Sequence, residues 1–189
     1  MPFIRGDLDA YEETAEEIAP EDLPPGSLQN LPSEEFVYEA ASGRYVPEEL
    51  SPVARVMLEA LTAMGATRFY VRYDGGWDEG FAYPDLLLFD EKAHVVAGVL
   101  SDLATAEQCA RFREAASQDS LRHYAIEFYA NASPMKAATA ALDELSMELA
   151  IPLLGDGFGT GEYELYGAFL ADFRTGEIVD DPKATRRMD

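Results

Sequence analysis

Residues 51–65 carry apolar side chains at the three- and four-residue spacing of an amphipathic helix. The range opens with a serine-proline pair, which suits the N-cap and the first helical position, and it closes at Gly65, which suits a helix end. A capping box and a second serine-proline pair give the same kind of signal further along the chain. The sequence therefore predicts helices over residues 51–65, 105–117 and 133–151.

Several other segments alternate between apolar and polar residues, which is the period of a β-strand. In residues 68–73 the apolar side chains at positions 69, 71 and 73 share one side. Because a glycine pair follows, residues 68–73 and 81–89 are predicted to form an antiparallel hairpin, with Pro84 at a sheet edge or in a β-bulge. Further strands are predicted over residues 94–100, 121–130, 163–173 and 177–180.

The predicted strands occur mostly as hairpins with helices between them. This order favours an α+β fold with a mixed, mainly antiparallel sheet and helices packed on one face over a doubly wound parallel fold. At 189 residues the chain is long enough for one well-buried core. We expect a single α+β domain over residues 51–182, preceded by an arm over residues 1–50 and followed by a tail over residues 183–189.

The N-terminal arm is acidic and rich in proline. Its 50 residues contain 13 acidic residues and only two basic ones. Such a charge bias is typical of an extended or loosely attached segment. Within the arm, Leu8, Tyr11, Ala15 and Ile18 recur at near-helical spacing opposite a set of glutamates. A short acidic amphipathic helix is therefore predicted, which docks either on its own domain or on another protein.

The charge of the whole chain limits its partners. It contains 36 Asp and Glu residues against 14 Lys and Arg residues, a formal net charge of -22. Direct binding to nucleic acid is disfavoured, because basic side chains must neutralise the phosphates. The charge fits a basic protein, a cation or an uncharged partner, and the expected partner is a protein. One variant of this hypothesis is an acidic nucleic-acid mimic that inhibits a DNA- or RNA-binding protein. Acidity that serves only solubility is the alternative.

A single cysteine, Cys109, excludes an intrachain disulfide and a CxxC metal or redox pair. The first residues lack the apolar segment of a secretory signal, and no apolar run approaches the length of a membrane span. These features favour a cytoplasmic protein without a membrane partner. Cys109 falls on the apolar face of its predicted helix, so we expect a buried thiol rather than a nucleophile that works with His94 or His123.

Two glycine-rich acidic turns combine backbone freedom, carboxylates and aromatic residues. They are residues 73–80 (YDGGWDEG) and residues 155–162 (GDGFGTGE). Aromatic side chains on turns offer a large contact area at a small entropic cost. We therefore predict a partner-binding surface formed by Trp77, Phe158, Tyr163 and Tyr166. The alternative for Trp77 is to fold back and seal an edge of the sheet.

The same turns supply candidate metal ligands, because Ca²⁺ and Mg²⁺ bind carboxylate oxygens. Four carboxylates would converge if the two hairpins lay side by side in one sheet, namely Asp74, Asp78, Glu79 and Glu162. Their spacing differs from that of a calcium-binding loop, and their alternative role is to cap the turns. No cofactor is expected, and a divalent cation is the alternative. Residues 155–161 lack the Gly-Lys-Ser/Thr ending of a phosphate-binding loop.

The order of these segments is similar to that of a protein family. A helix that ends near Gly65, the segment VRYDGGWDEG at residues 71–80 and the segment GTGEYELYGAF at residues 159–169 resemble an uncharacterised family of small bacterial and phage-associated proteins. Members of this family carry a Tyr-Asp-Gly-x-Gly-Asp-Ser-Gly turn and a C-terminal glycine-rich aromatic hairpin. Here Trp77 stands at the glycine position and Glu79 at the serine position. The resemblance implies the domain layout and no particular activity.

We therefore expect a non-enzymatic cytoplasmic binding or regulatory protein. It would engage another protein through the glycine-rich turns or through the acidic arm. The competing hypothesis is a divalent-metal-binding protein or a metal-dependent enzyme built on the four carboxylates of the turns. An acidic mimic of nucleic acid is the third hypothesis.

Overall fold

The computed structural model describes residues 42–76, 79–90, 92–118, 123–155, 158 and 165–181. These residues form six strands and five α-helices. Along the chain they are β1 (Ser42–Arg44), α1 (Pro52–Ala63), β2 (Arg68–Gly76), β3 (Glu79–Phe89), β4 (Lys92–Val95), α2 (Val96–Leu103), α3 (Ala106–Gln118), α4 (His123–Asn131), α5 (Pro134–Leu154), β5 (Leu165–Asp172) and β6 (Glu177–Asp180). A short 3-10 helix, Pro47–Glu49, lies between β1 and α1.

The six strands form one sheet in the order β1-β6-β5-β2-β3-β4. Every neighbouring pair runs antiparallel. The predicted hairpins β2–β3 and β5–β6 are both present, and they lie side by side because β5 pairs with β2. The prediction of an α+β fold with a mainly antiparallel sheet is confirmed.

The helices pack on one face of this sheet. Alternate strand residues such as Phe69, Tyr73 and Phe169 point to that face and are completely buried. They belong to the same apolar core as the inner sides of α1 and α5, where Met57 and Leu145 are equally buried. Within the described residues the opposite face of the sheet carries only a small separate apolar cluster without a helix. The predicted one-sided packing is therefore confirmed.

Helices α1 and α5 begin at the predicted serine-proline pairs. The Ser51 hydroxyl accepts a hydrogen bond from the Ala54 N–H at 3.2 Å, and the Ser133 hydroxyl accepts one from the Lys136 N–H at 3.4 Å. These bonds satisfy amides that have no partner inside the helix. At the other end of α1, Gly65 has a φ of 90°, which glycine adopts without a steric cost.

Pro84 lies in a β-bulge, which is one of its two predicted places. Tyr70 pairs with Leu86, whereas the next residue, Val71, pairs with Pro84, so Asp85 is the extra residue of β3. β4 pairs only with the later part of β3, residues 86–89. Among the described strands, none pairs with the outer side of β3 at Pro84. Proline has no amide N–H to donate, so the sheet loses no hydrogen bond there.

The prediction of a strand over residues 121–130 is wrong, because residues 123–131 form α4. Ala125 and Tyr129, one helical turn apart, are buried. The Tyr129 ring packs on Phe112 of α3 with a centroid separation of 6.3 Å. Packing against α3 therefore selects the helix, although the local sequence also alternates like a strand.

The predicted strand over residues 94–100 is also largely wrong. β4 ends at Val95, and α2 begins at Val96. Within α2, Val96, Val99 and Leu103 are buried at the three- and four-residue spacing of a helix. The apolar run of residues 95–100 is too short for its periodicity to distinguish a strand from a helix.

Helix α5 continues past Pro152, where the sequence predicted its end. Proline lacks the amide that would bond back within the helix, and it lies here in the last turn. Leu153 and Leu154 behind it are buried, and the Gly155 N–H closes the helix on the Ile151 carbonyl at 2.8 Å. Among the described helices, neither α5 nor any other has the length and apolarity needed to cross a bilayer.

The sheet includes the last residues of the predicted acidic arm. β1 pairs with β6, and Tyr45 and Leu50 are buried in the core. Gly43 lies so close to the Pro152 carbonyl that a Cβ atom placed on it would clash with the backbone. Residues 1–41, which contain the predicted amphipathic helix, lie outside the described residues, as do residues 182–189.

Candidate recognition surface

We call the side of the sheet that faces away from the helices the open face. Because strand side chains alternate, Tyr70, Arg72 and Asp74 of β2 point to it, while their neighbours point to the core. The strand register places Leu86 and Leu170 beside Tyr70. These residues form the small apolar cluster, in which the Tyr70 ring is buried. The middle of the open face is therefore apolar and well packed.

An exposed aromatic pair lies next to this cluster, towards the β2–β3 turn. Phe81 is 42% exposed and Tyr83 is 45% exposed. Their rings stack with a centroid separation of 6.2 Å and an interplanar angle of 24°. Phe81 lies opposite Asp74 and Tyr83 lies opposite Arg72, which places both rings on the open face. Exposed paired rings of this kind offer a large apolar contact to a partner.

A carboxylate adjoins the aromatic pair. The Tyr83 hydroxyl donates a hydrogen bond to Asp74 Oδ1 at 3.3 Å. Burial raises the pKa of the Asp74 carboxyl, and the hydrogen bond from Tyr83 offsets only part of that effect. Burial also raises the pKa of the Tyr83 hydroxyl, and the negative charge of Asp74 raises it further. The Asp74 carboxyl and the Tyr83 hydroxyl therefore interact where both have lost part of their contact with water.

The charge of a second carboxylate, on a helix, acts on the same tyrosine. Asp143 of α5 adds to the rise in the pKa of Tyr83, and burial raises the pKa of Asp143 itself. One turn further along α5, Met147 lies against β3, where its sulfur accepts a hydrogen bond from the Ala82 N–H at 3.0 Å. This contact holds α5 beside the outer side of β3, close to the aromatic pair.

The nearby arginines of β2 have other partners. Arg72 Nε lies 2.8 Å from Asp85 Oδ2, one of two ion pairs in the described part of the chain. Arg68 donates to the Asp90 carbonyl at 3.3 Å. Arg72 therefore pairs across strands with the bulge residue Asp85. Neither described ion pair includes Asp74 or Asp143.

Phe158 of the second glycine-rich turn contacts the β2–β3 hairpin on the other side of the sheet. Asp74 and Gly75 pair with Tyr166 and Leu165, so the start of β5 lies beside the end of β2. Phe158 is only 7% exposed and packs in the helix-covered core against Gly80, where any Cβ atom would overlap its ring and its carbonyl. The turn at residue 158 thus covers the end of the β2–β3 hairpin.

The structure describes four of the eight predicted site residues. Asp74 is half-buried beside Tyr83, Tyr166 is half-buried opposite Asp74, and Glu79 is exposed at the turn. Phe158 faces the core, on the side of the sheet opposite Phe81 and Tyr83. The other four, Trp77, Asp78, Glu162 and Tyr163, lie outside the described residues.

The metal hypothesis stays a prediction. Within the described ranges no group of three or more His, Cys, Asp or Glu side chains is placed to hold a metal ion. Of the four predicted ligands only Asp74 and Glu79 belong to those ranges. The predicted burial of Cys109 is confirmed, and its sulfur lies 4.0 Å from the Ala132 carbonyl oxygen.

The sequence interpretation missed Phe81, Tyr83 and Asp143. A signal for the first two was present, since two aromatics at alternate positions of a predicted strand must share a face. Which face they share depends on the pairing register, and the bulge at Pro84 changes that register. Asp143 had no signal, because only the packing of α5 beside β3 brings it to Tyr83.

A groove between α1 and α3 is a weaker candidate site. It has a volume of about 230 Å³ and contains Arg55 and Arg111. Arg111 lies 2.7 Å from Glu59, and Arg55 donates to the Leu50 carbonyl at 3.0 Å. Arg111 is therefore neutralised by Glu59, whereas Arg55 is held by backbone carbonyls through one nitrogen and its Nε has no hydrogen-bond partner among the described residues.

Comparison of the chain with protein-family models, with curated proteins and with solved structures gives no match. The resemblance to the family with the Tyr-Asp-Gly-rich turn therefore stays a prediction. The site can be interpreted only from its own residues and geometry.

Proposed function

We propose that this chain is a non-enzymatic binding or regulatory protein of the cytoplasm that engages a basic protein through one end of its open face. The observation that carries the proposal is the exposed Phe81–Tyr83 pair beside the carboxylate of Asp74, which belongs to neither ion pair of the described residues. We call the group Asp74, Phe81, Tyr83 and Asp143 the aromatic–acidic patch.

The chemistry of the patch supports contact with a protein. Stacked exposed rings bury a large area when covered, and they lose little side-chain entropy because each has only two rotatable bonds. The rings lie beside a well-packed apolar cluster, so they belong to a rigid part of the sheet. A preorganised surface loses less entropy on binding than a loop that must first become ordered.

The charge of the chain supports a basic partner. A net charge of -22 attracts cationic proteins over a distance of about one Debye length and repels nucleic acid. Long-range attraction raises the association rate, whereas the patch supplies short-range contacts. The cytoplasm is the proposed compartment because the single cysteine is buried and unpaired.

The test is the binding of a small basic protein to the full-length chain, measured by titration calorimetry at low and at physiological salt. We expect Phe81→Ala combined with Tyr83→Ala to weaken binding about tenfold or more without changing the net charge. Tyr124→Ala is the matched control, since Tyr124 is 73% exposed on α4, a helix that packs on α3. Equal affinities of the double variant and the control would contradict the proposal.

The acidic arm is tested in the same assay. Replacing Glu12, Glu13, Glu16 and Glu17 with glutamine removes four charges from the arm and leaves the patch intact. We expect a lower association rate, a weaker salt dependence and a nearly unchanged dissociation rate. A large rise in the dissociation rate would instead make the arm the principal binding segment.

A further inference from the structure

We propose that the apolar stripe of the N-terminal arm docks on a row of apolar residues that crosses the open face of the sheet. The stripe consists of Leu8, Tyr11, Ala15 and Ile18. It would cover a part of the sheet that has no helix over it among the described residues. The inference is independent of the function proposed above, since the Phe81–Tyr83 pair lies beside this row, towards the β2–β3 turn.

The first observation is the row itself. Residues that lie opposite each other on neighbouring antiparallel strands share one face of the sheet. Across β6, β5, β2, β3 and β4 the register aligns Val179, Leu170, Tyr70, Leu86 and Val95, which we call the apolar row. Its centre is packed, whereas Val179 at one end is 46% exposed and Val95 at the other end is 60% exposed. A continuous line of apolar side chains is suited to the apolar side of a helix.

The length of the row suits the stripe. Neighbouring strands lie about 4.8 Å apart, so the ends of the row are about 19 Å apart. A helix rises about 1.5 Å per residue, so residues 8–18 would extend over about 15 Å. The stripe can therefore contact most of the row, while the glutamates on the opposite side of such a helix stay in water.

The place where the arm joins the sheet also favours this occupant. Ser42, the first described residue, pairs with Val179 at one end of the row. Residues 19–41 connect the stripe to this point, and an extended chain of that length reaches about 70 Å. Because the segment is tethered close to the row, its effective concentration there is on the order of millimolar.

A polar group beside the row favours an acidic occupant. Arg68 is the open-face residue of β2 next to Tyr70, and it lies opposite Leu88. One of its nitrogens donates to the Asp90 carbonyl at 3.3 Å, while its Nε is buried without a hydrogen-bond partner among the described residues. Arg68 belongs to neither ion pair of those residues. The arm, with 13 acids in its 50 residues, supplies carboxylates that can bind a guanidinium group.

The charge of the chain disfavours the other occupants. A second copy would carry the same acids, but two chains with a net charge of -22 each repel one another. A separate basic protein would bring further cations to Arg68 rather than hydrogen-bond acceptors.

The experiment is NMR on the full-length chain with a soluble gadolinium chelate, which accelerates the relaxation of exposed methyl groups. Val46 is the internal reference, because its exposed fraction of 42% is close to that of Val179. An arm that is docked in most molecules should slow the relaxation of the Val179 and Val95 methyl groups about twofold or more relative to Val46. Direct contact should appear as NOEs from the Ile18 methyl groups to the row.

Two matched variants identify the occupant. Ala15→Asp places a charge in the stripe, whereas Ala10→Asp makes the same change on the other side of the predicted helix. Because burying an unpaired charge is costly, Ala15→Asp should abolish the protection of Val179 and Val95, and Ala10→Asp should retain it. Unchanged shifts of the buried Leu145 methyl groups show that the domain stays folded in both variants.

Three outcomes would overturn the inference. In the first, Val179 and Val95 relax as fast as Val46 in the wild type, so the row is open. In the second, Ala15→Asp and Ala10→Asp show equal protection, so the stripe is not the cover. In the third, the protection disappears on dilution, which would make a second copy the occupant. The proposed function is tested separately, by the loss of basic-protein binding in the Phe81 and Tyr83 variants.

Discussion

The two faces of the sheet differ although they are formed by the same strands. On β2, Phe69, Val71 and Tyr73 face the helices and are completely buried, whereas Arg72 and Asp74 between and beside them face outward. On the helix-covered face, the strand side chains pack with the helices in the main apolar core. The open face has a small packed centre and an exposed aromatic end. Stability is therefore concentrated on one face, which leaves side chains on the other face available for recognition.

Two tyrosines of β2 show the difference most directly. Tyr73 donates its hydroxyl to Asp180 at 3.1 Å inside the core, and Tyr70 donates its hydroxyl to Asp181 at 2.6 Å on the open face. The two aspartates follow each other at the end of β6, so they point to opposite faces. The same Tyr–Asp contact is buried on one face and half-buried on the other.

The largest expected effect concerns an aromatic ring on each face. Phe169→Ala removes a buried ring that stacks near Tyr73 at a centroid separation of 6.3 Å, so we expect a loss of about 3–5 kcal/mol in the free energy of unfolding. Phe81→Ala on the open face should cost about 1 kcal/mol or less. Urea unfolding of both variants measures the difference. Equal losses would mean that the open face is as important for stability as the core.

A glycine where the two turns meet should show the next largest effect. Gly80→Ala places a methyl group against the ring and carbonyl of Phe158, and we expect a destabilisation of about 1–3 kcal/mol. Gly98→Ala is the control, because nothing lies within 4 Å of its added Cβ atom in α2. That change should stabilise the helix by up to about 1 kcal/mol. Thermal unfolding measures the stability of both variants. A Gly80→Ala variant as stable as the wild type would contradict the contact with Phe158.

A smaller difference in stability is expected from removing the hydroxyl groups of Tyr73 and Tyr70. Tyr73→Phe removes a donor to the buried Asp180, so we expect a loss of about 2 kcal/mol in unfolding free energy. Tyr70→Phe removes a donor to the less buried Asp181, where water can replace it, and should cost about 1 kcal/mol or less. Chemical denaturation compares them. A larger loss for Tyr70→Phe would reverse the assignment of the two faces.

The smallest expected effect on stability concerns the pH dependence at Asp74. Its pKa is raised above the ordinary value of 3.8, mainly by burial, so the folded state binds this proton more tightly than the unfolded state. The resulting stabilisation is present at low pH and is lost as the pH rises through the folded-state pKa. In Asp74→Asn we expect this part of the slope to disappear.

Urea midpoints of the wild type and of Asp74→Asn, measured across the acid range, test this sign. Asp102→Asn, which removes the same charge from an exposed position on α2, is the control for the loss of one carboxylate. An unchanged slope in Asp74→Asn would mean that the carboxylate is as well solvated when folded as when unfolded.

Local signals in the sequence were sufficient for the elements with clear caps, glycines and strict periodicity. The serine-proline starts of α1 and α5, the end of α1 at Gly65 and the hairpin from β2 to β3 were all predicted correctly. The failures lie where a short apolar segment fits both periods. Residues 123–131 alternate like a strand, yet the side of α3 that carries Phe112 is covered best by a helix.

The sequence by itself determined the charge of the protein, its α+β class, its β2–β3 and β5–β6 hairpins and the burial of Cys109. Only the tertiary structure decided which residues share a surface. The bulge at Pro84 sets the register that joins Tyr83 to Asp74, and the packing of α5 beside β3 brings Met147 to Ala82 from a distant part of the chain. Hydrophobic periodicity determines which side of an element is buried, whereas contacts between elements depend on register and packing that no local pattern encodes.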